Sequence, residues 1–199
     1  MTLYKILNED GTPYWGGKGK WHLPKCGKPG KWMPPIKDIS LCEHGYHVLK
    51  PEMLLYWLGP VIFEVEVHGA EIWQDDKGVV EQARLVRKLS AWNEQTARLL
   101  ACDYAEAVVH LAKDQCSVNA IRVARRFAFG LANREELNAV WDATWKDTVA
   151  DVAKCMARTA ARVAAAKLAA ATAVEVQTAS ELNIINWNET FETIRGGTK

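Results

Sequence analysis

The chain has 199 residues, of which 49% are hydrophobic and 25% are charged. That length permits one or two domains with a buried core, and that composition is typical of an ordinary globular protein. The net charge of +1 excludes a protein that binds nucleic acid through its overall charge, so any basic patch has to be local.

The sequence predicts neither a membrane span nor a secretory leader. No apolar run reaches the roughly 18 residues that a spanning helix needs. The first eight residues also lack the charged-then-apolar layout of a signal peptide. Five cysteines are spread along the chain with no two close together, which predicts reduced thiols and not a disulfide framework. We therefore expect a cytoplasmic protein.

The first half of the chain predicts a small α+β domain, residues 1–89, with a mostly antiparallel sheet. The expected elements are strands at residues 3–7, 45–49, 61–68 and 79–88, and a short helix at residues 51–58. The third strand is the clearest, because apolar residues alternate with mostly polar ones. Asp75-Asp76-Lys77-Gly78 predicts a hairpin turn before the last strand.

The second half, residues 90–199, predicts helices. Ser90 is expected to cap a helix that runs to about residue 112, and a second helix is expected at residues 118–131. Asn133 and Glu136 form a capping box that opens a third helix. An alanine-rich stretch without Gly or Pro extends this third helix to about residue 180.

So long a helix with a narrow apolar seam predicts a partner helix, either within the chain or from another subunit. We therefore expect a homo-oligomer, with the helix forming either one rod or a hairpin. The seam residues expected at the interface are Trp141, Trp145, Val152 and Met156.

The loop at residues 11–37 combines lysines with tryptophans and contains no acidic residue. Lysines can bind phosphates, and exposed aromatic rings can stack on bases. The residues expected to bind nucleic acid or another partner are Lys18, Lys20, Trp21, Lys28, Lys31 and Trp32. In the alternative, which the neutral overall charge favours, the tryptophans pin an irregular loop to its own domain.

Histidines and cysteines near the second strand are candidate zinc ligands. The candidates are His22, Cys26, Cys42, His44 and His47. Their spacing is not that of a tight Cys-x-x-Cys knuckle, so we favour a structural thiol and a hydrogen-bonded histidine, with no metal.

Glu64 and Glu66 share one face of the third strand and are candidates for an acid–base pair. The simpler interpretation places both carboxylates on the solvated face of a half-buried strand.

Seven short segments resemble an uncharacterised family of actinobacterial and phage proteins, within the group called DUF7666. The segments are Trp21-His22-Leu23-Pro24, Pro29-Gly30-Lys31-Trp32-Met33-Pro34, Gly45-Tyr46-His47, Trp57-Leu58-Gly59-Pro60, Asp75-Asp76-Lys77, Ala83-Arg84-Leu85 and Trp92-Asn93-Glu94. The resemblance implies no established activity, and it implies location in the host cytoplasm if the gene belongs to a phage. Relatives often carry a cysteine where this chain has Leu49, which weakens the zinc interpretation.

A more distant resemblance, carried by residues 45–48 and 60–67, is to the strand–helix–strand unit of ADP-ribosyltransferase-like folds. In those enzymes NAD lies in a cleft and a glutamate orients its ribose. The resemblance implies His47, Glu64 and Glu66 as catalytic residues and NAD as cofactor. Tyr4 and Lys5 stand where such enzymes offer Arg or His, so a degenerate form without cofactor is the expectation.

Three functions follow as hypotheses. The first is a non-enzymatic interaction protein of phage type, with a macromolecule-binding head and a helical region for oligomerisation or docking. The second is an NAD-dependent enzyme of ADP-ribosyltransferase type. The third is a nucleic-acid binder that uses the Lys/Trp loop.

Overall fold

The computed structural model describes residues 1–108, 115–145, 191, 192 and 195. The chain divides into two compact units, of which the first comprises residues 1–92 with residues 187–199 and the second comprises residues 93–186. The fold class is α+β with an antiparallel sheet, as the sequence predicts.

The first unit is built on a four-stranded antiparallel sheet in the order β1-β3-β4-β2. The strands are β1 (Leu3–Leu7), β2 (Tyr46–Val48), β3 (Val61–Trp73) and β4 (Gly78–Lys88). β3 runs five residues beyond its predicted end at His68. The register with β4 shifts between His68 and Glu71, and Gly69 adopts a φ of 86° there. Such a bulge breaks the alternation that marks a strand in the sequence, although the pairing resumes after it.

The hairpin turn between β3 and β4 is confirmed. The Gln74 N–H donates a hydrogen bond to the Lys77 carbonyl at 2.8 Å, which closes the chain reversal at the predicted residues.

The sheet curls until its two edge strands meet at one point. Tyr4 and Leu49 exchange main-chain hydrogen bonds of 2.8 and 2.9 Å, which join β1 to the residue after β2. Away from this bridge, β1 and β2 do not pair with each other. A gap between the two strand edges is therefore left in the sheet.

One face of the sheet carries a continuous apolar core. Its buried members are Leu3, Leu7, Trp21, Val48, Val61, Phe63, Val65, Val80, Ala83 and Leu85. The opposite face of β1 is buried as well. Tyr4 is fully buried and its ring meets the Phe191 ring edge-on at 5.1 Å. The sequence assigned the C-terminal residues to the helical region, whereas Phe191 packs in the first unit.

The loop at residues 11–37 is fastened to its own domain. The main-chain N–H groups of Gly30, Met33 and Ile36 donate hydrogen bonds of 2.8, 2.9 and 2.9 Å to carbonyls on β4. Contacts at every third residue match the three-residue turn of an extended polyproline-like chain. The loop thus lies along the edge of β4, as the packed-loop alternative predicts.

A 3₁₀ turn (Pro51–Met53) is followed by α1 (Leu54–Trp57), where the sequence predicts one short helix at residues 51–58. Gly59 then lies beside Trp92, whose Nε1–H donates a buried hydrogen bond of 2.8 Å to the Gly59 carbonyl. This bond fixes the last residue of the first unit's main segment.

The described part of the second unit contains α2 (Glu94–Val108), α3 (Gln115–Ala128) and α4 (Arg134–Trp145). α2 is capped by Asn93 and not by Ser90, because Asn93 Oδ1 accepts the Thr96 N–H at 3.0 Å. Arg125 of α3 pairs with Asp103 of α2 at 2.7 Å, which ties these two helices together.

The capping box at the start of α4 is confirmed. The Asn133 side chain accepts the Glu136 N–H at 2.8 Å, and the Glu136 carboxylate accepts the Asn133 N–H at 2.9 Å. The predicted continuation to residue 180, with Val152 and Met156, lies outside the described residues. The side chains of Trp141 and Trp145 lie outside them too.

Within residues 1–108 and 115–145, none of the helices has both the length and the hydropathy required to cross a membrane.

Candidate functional site: a lysine-bearing aromatic cavity

A cavity of about 450 Å³ opens in the first unit at the gap between β1 and β2. Lys5 and Ile6 of β1 form one side of it, and Tyr46 and His47 of β2 form another. The loop contributes residues 13–18 together with Trp21, Met33 and Ile36. The cavity exists because the curled sheet closes at one bridge only and the loop covers the opening.

Lys5 of β1 places a positively charged side chain in the cavity lining. Leu3 and Leu7 belong to the core, and Lys5 lies two residues from each of them, so Lys5 is on the same face of β1. Its Nζ donates a hydrogen bond of 2.8 Å to the His47 carbonyl and lies 5.4 Å from the centre of the Trp21 ring. Burial lowers the pKa of Lys5 to about 8, because the charged amine loses hydration. No carboxylate among the described residues forms an ion pair with it.

His47 is held neutral at pH 7. Burial lowers the pKa of His47, and the positive charges of Lys5 and Lys77 lower it further. Its Nε2 accepts the main-chain N–H of Cys42 at 3.0 Å, which leaves the ring proton on Nδ1. The imidazole thus fixes the turn before β2 and presents one N–H donor.

Aromatic rings form the outer part of the cavity. The Trp15 Nε1–H donates to the Trp57 carbonyl at 2.6 Å, and the two rings meet edge-on at 5.7 Å. Tyr14 meets Trp15 edge-on at 5.1 Å, and the Lys77 amine lies 5.0 Å from the Trp57 ring centre. Trp15 is nevertheless 45% exposed, so a large aromatic surface remains open to a ligand.

The two predicted catalytic glutamates do not line this cavity with His47. Arg87 binds Glu64 through two hydrogen bonds of 2.7 and 2.5 Å, and Arg84 binds Glu66 at 2.6 Å. Both glutamates line a separate depression beside the N-terminal residues. The acidic residue that does line the cavity with His47 is Glu43. Each glutamate is therefore held in an ion pair that joins β3 to β4.

The loop residues predicted to bind a partner are divided between different surroundings. Trp21 is only 6% exposed and belongs to the core, so its ring is closed to a base. Trp32 is partly buried, with the Arg84 guanidinium 4.7 Å from its ring centre. Lys18 lines the cavity, and Lys20 pairs with Asp10 at 3.6 Å.

Lys28 and Lys31 are exposed on the part of the loop that lies outside the cavity lining. The predicted set therefore does not form one Lys/Trp surface.

The candidate zinc ligands separate in the same way. Cys42, His44 and His47 line the cavity, whereas His22 and Cys26 do not. Across the part of the chain that the structure describes, no three His, Cys, Asp or Glu side chains gather into a metal-binding group.

Comparison of the chain with protein-family models, curated proteins and solved structures gives no match. The resemblances drawn from the sequence motifs therefore stay predictions, and the function is argued from the cavity alone.

Sequence reasoning named several residues of this cavity, among them His47 and Lys18, but it did not assign Lys5 or Trp15 to a binding site. Lys5 interrupts the apolar strand Leu3–Leu7, and one lysine on the core face of a predicted strand is a signal that could have identified it. Trp15 carries no such signal, because nothing in the loop sequence distinguishes it from the buried Trp21.

Proposed function

We propose that the protein is a non-enzymatic interaction protein whose first unit binds a segment of a partner protein. The observation that carries this proposal is the cavity at the β1–β2 gap, which has aromatic walls and the Lys5 amine, a group that forms no ion pair with any described residue. Its volume falls in the range of about 300–1,000 Å³ that is typical of binding pockets. Tryptophan and tyrosine are also the residues that contribute most to binding energy at protein interfaces.

The second unit supports a docking or self-association role. Val118, Phe129 and Leu131 are 41%, 53% and 66% exposed, and all three line one surface depression on α3 and its C-terminal turn. Clustered exposed apolar side chains of this kind mark protein-interaction surfaces. A homo-oligomer formed through the helical region is part of the proposal.

Nucleic-acid binding is the second candidate, because Lys18, Lys28 and Lys31 are exposed. It is the weaker one, since Trp21 is buried and Arg84 lies over the Trp32 ring. An NAD-dependent enzyme finds less support still, because the two glutamates implied by that resemblance line a different depression and each pairs with an arginine.

The test is selection of a peptide-display library on the whole protein, followed by calorimetry with the selected peptides. We expect micromolar or tighter binding that Trp15→Ala and Lys18→Glu weaken by about tenfold or more. Lys28→Glu is the matched control, because it makes the same charge change on an exposed residue of the same loop that does not line the cavity.

Two results would count against the proposal. One is that no peptide is selected. The other is that binding falls equally in Lys18→Glu and Lys28→Glu. A single-stranded oligonucleotide bound tightly, with affinity falling steeply as salt rises, would favour the nucleic-acid candidate.

A further inference from the structure

The gap between β1 and β2 is bounded by main chain at both ends. At one end the two strands are joined by the bridge described above. At the other end loop residues 12–14 lie along β1, where Leu7 is bridged to Pro13. Pro13 has no N–H, so its neighbours make this bridge, and the Asn8 N–H donates to the Thr12 carbonyl at 2.9 Å. A ligand in the cavity therefore meets side chains and not an open strand edge.

Two lysine amines lie close to the imidazole of His47 in the cavity lining. The Lys5 Nζ donates a hydrogen bond of 2.8 Å to the His47 carbonyl. The positive charges of Lys5 and Lys77 both lower the pKa of His47, and such an effect weakens with distance, so both amines lie near the imidazole. The imidazole adds its Nδ1–H as a third donor. This part of the lining is therefore suited to an anionic group.

The described lining carries more positive than negative charge. It contains Lys5, Lys18 and Lys77 against one acidic side chain, Glu43, which forms no ion pair with these lysines. Lys77 is paired with Asp76 at 3.6 Å, but Lys5 donates only to a carbonyl. An ammonium group carries three donors, so Lys5 keeps capacity for an anionic ligand.

Aromatic rings lie directly beside these charges. The Lys77 amine is 5.0 Å from the centre of the Trp57 ring, and Trp57 meets Trp15 edge-on at 5.7 Å. Trp15 is 45% exposed, so part of its ring is open to a further aromatic group. Aromatic pairs gain about 0.5–1.5 kcal/mol beyond the burial of their area. One small group can therefore reach both the amines and the rings.

We infer that the cavity takes a carboxylate attached to an aromatic ring, with the carboxylate on the Lys5 and Lys77 amines and the ring against Trp15 and Trp57. This inference rests on the proposed function, because it names the chemistry of the group that enters the same cavity. The carboxylate gives the half-buried Lys5 amine a counter-charge that no described residue provides. Two sources carry this chemistry, namely the C-terminal aromatic residue of a partner protein and a free aromatic acid.

The first arm of the test uses small probes on the whole wild-type protein, so it depends on no variant. Phenylacetate, phenylacetamide, cyclohexylacetate and phenyl phosphate are titrated, and binding is followed by NMR chemical shifts. We expect phenylacetate to bind with a dissociation constant of about 1 mM or below. The amide should bind at least about tenfold more weakly, because it loses a charged hydrogen bond. The cyclohexyl acid should bind about two- to tenfold more weakly, because it loses the aromatic contact.

The second arm places the carboxylate on the lysines. In Lys5→Met and in Lys77→Met we expect the preference for phenylacetate over phenylacetamide to fall by about tenfold or more. Lys77→Met keeps the test decisive if Lys5→Met does not fold. Lys37→Met is the control and should keep the full preference, because Lys37 is exposed and does not line the cavity.

The third arm distinguishes the two sources. The peptide Gly-Gly-Gly-Phe is titrated with a free C-terminus and with an amidated one. A free-acid peptide that binds more tightly than phenylacetate indicates the C-terminus of a partner protein, and it supports both the inference and the proposed function. If phenylacetate binds and the peptide does not, the inference stands with a free acid as ligand, and the proposed function loses its cavity.

Three outcomes would overturn the inference. One is equal binding of phenylacetate and phenylacetamide, another is tighter binding of phenyl phosphate than of phenylacetate, and the third is that neither phenylacetate nor the free-acid peptide binds. The proposed function is not decided by these results, because selection from a peptide library tests it separately.

Discussion

Replacement of Lys5 by methionine should change how stability depends on pH. The pKa of Lys5 falls from 10.5 in the unfolded chain to about 8 in the folded protein, because burial penalises the charged amine. A base with a lowered folded-state pKa destabilises the fold below that pKa, where the amine is charged in both states. The penalty is lost as pH rises from about 8 toward 10.5, since the folded protein then releases its proton before the unfolded chain does.

The full difference between the two pKa values corresponds to about 3 kcal/mol. This is an upper limit, because Lys5 is only half-buried and solvent screens part of the penalty. Between pH 8 and pH 10 the wild-type protein should gain about 2 kcal/mol in free energy of unfolding relative to Lys5→Met. Titrating cysteines and tyrosines contribute to both proteins, so the difference between the two removes their effect.

The assay is urea unfolding monitored by tryptophan fluorescence at a series of pH values, with the free-energy difference taken from the midpoints. Lys37→Met is the control, and it should track the wild-type protein at every pH because Lys37 is exposed. A difference between wild type and Lys5→Met that stays constant from pH 7 to pH 10 would refute the argument that the Lys5 amine is desolvated.

Three further predictions concern the packing around the site and in the helices. Asn133→Ala should lower the free energy of unfolding by about 1 kcal/mol, because α4 loses its cap; thermal melting followed by circular dichroism measures this. Trp92→Phe should cost about 1–3 kcal/mol in urea unfolding, because the buried Gly59 carbonyl loses its donor. Burial raises the pKa of Cys102 to about 12, so at pH 8 a thiol reagent should label the exposed Cys26 and leave Cys102 unlabelled until urea unfolds the chain.

Each of these predictions has its own contrary result. Asn138→Ala, an exposed change inside α4, should not destabilise the protein, and an equal loss in both variants would show that the cap contributes nothing. Trp73→Phe removes an exposed indole hydrogen bond instead of a buried one, so equal costs for Trp73→Phe and Trp92→Phe would contradict the burial argument. Labelling of Cys102 at the rate of Cys26 in the folded protein would contradict its burial.

Much of the fold was predictable from local patterns. The capping box of Asn133 and Glu136 and the turn ending at Lys77 depend on residues three or four positions apart. The helix cap was assigned to Ser90 instead of Asn93, because both residue types can accept the free N–H groups and the sequence does not choose between them.

The candidate site was only partly predictable. His47 was identified, but Glu64 and Glu66 were grouped with it only through the resemblance to ADP-ribosyltransferase-like folds. The structure pairs those glutamates with Arg87 and Arg84, which lie on the neighbouring strand. An antiparallel register places these charges opposite each other, and the sequence alone does not fix that register.

By itself, the sequence determined which segments form strands and helices, because alternation, helical periodicity and capping act between near neighbours in the chain. Only the tertiary structure decided that β1 and β2 meet at a single bridge and leave a gap beside it. The hydrogen bond from Lys5 to His47 spans 42 positions, and its geometry depends on the pairing of all four strands. A contact between residues so far apart depends on the register of every strand pair in the sheet, and no local sequence pattern determines that register.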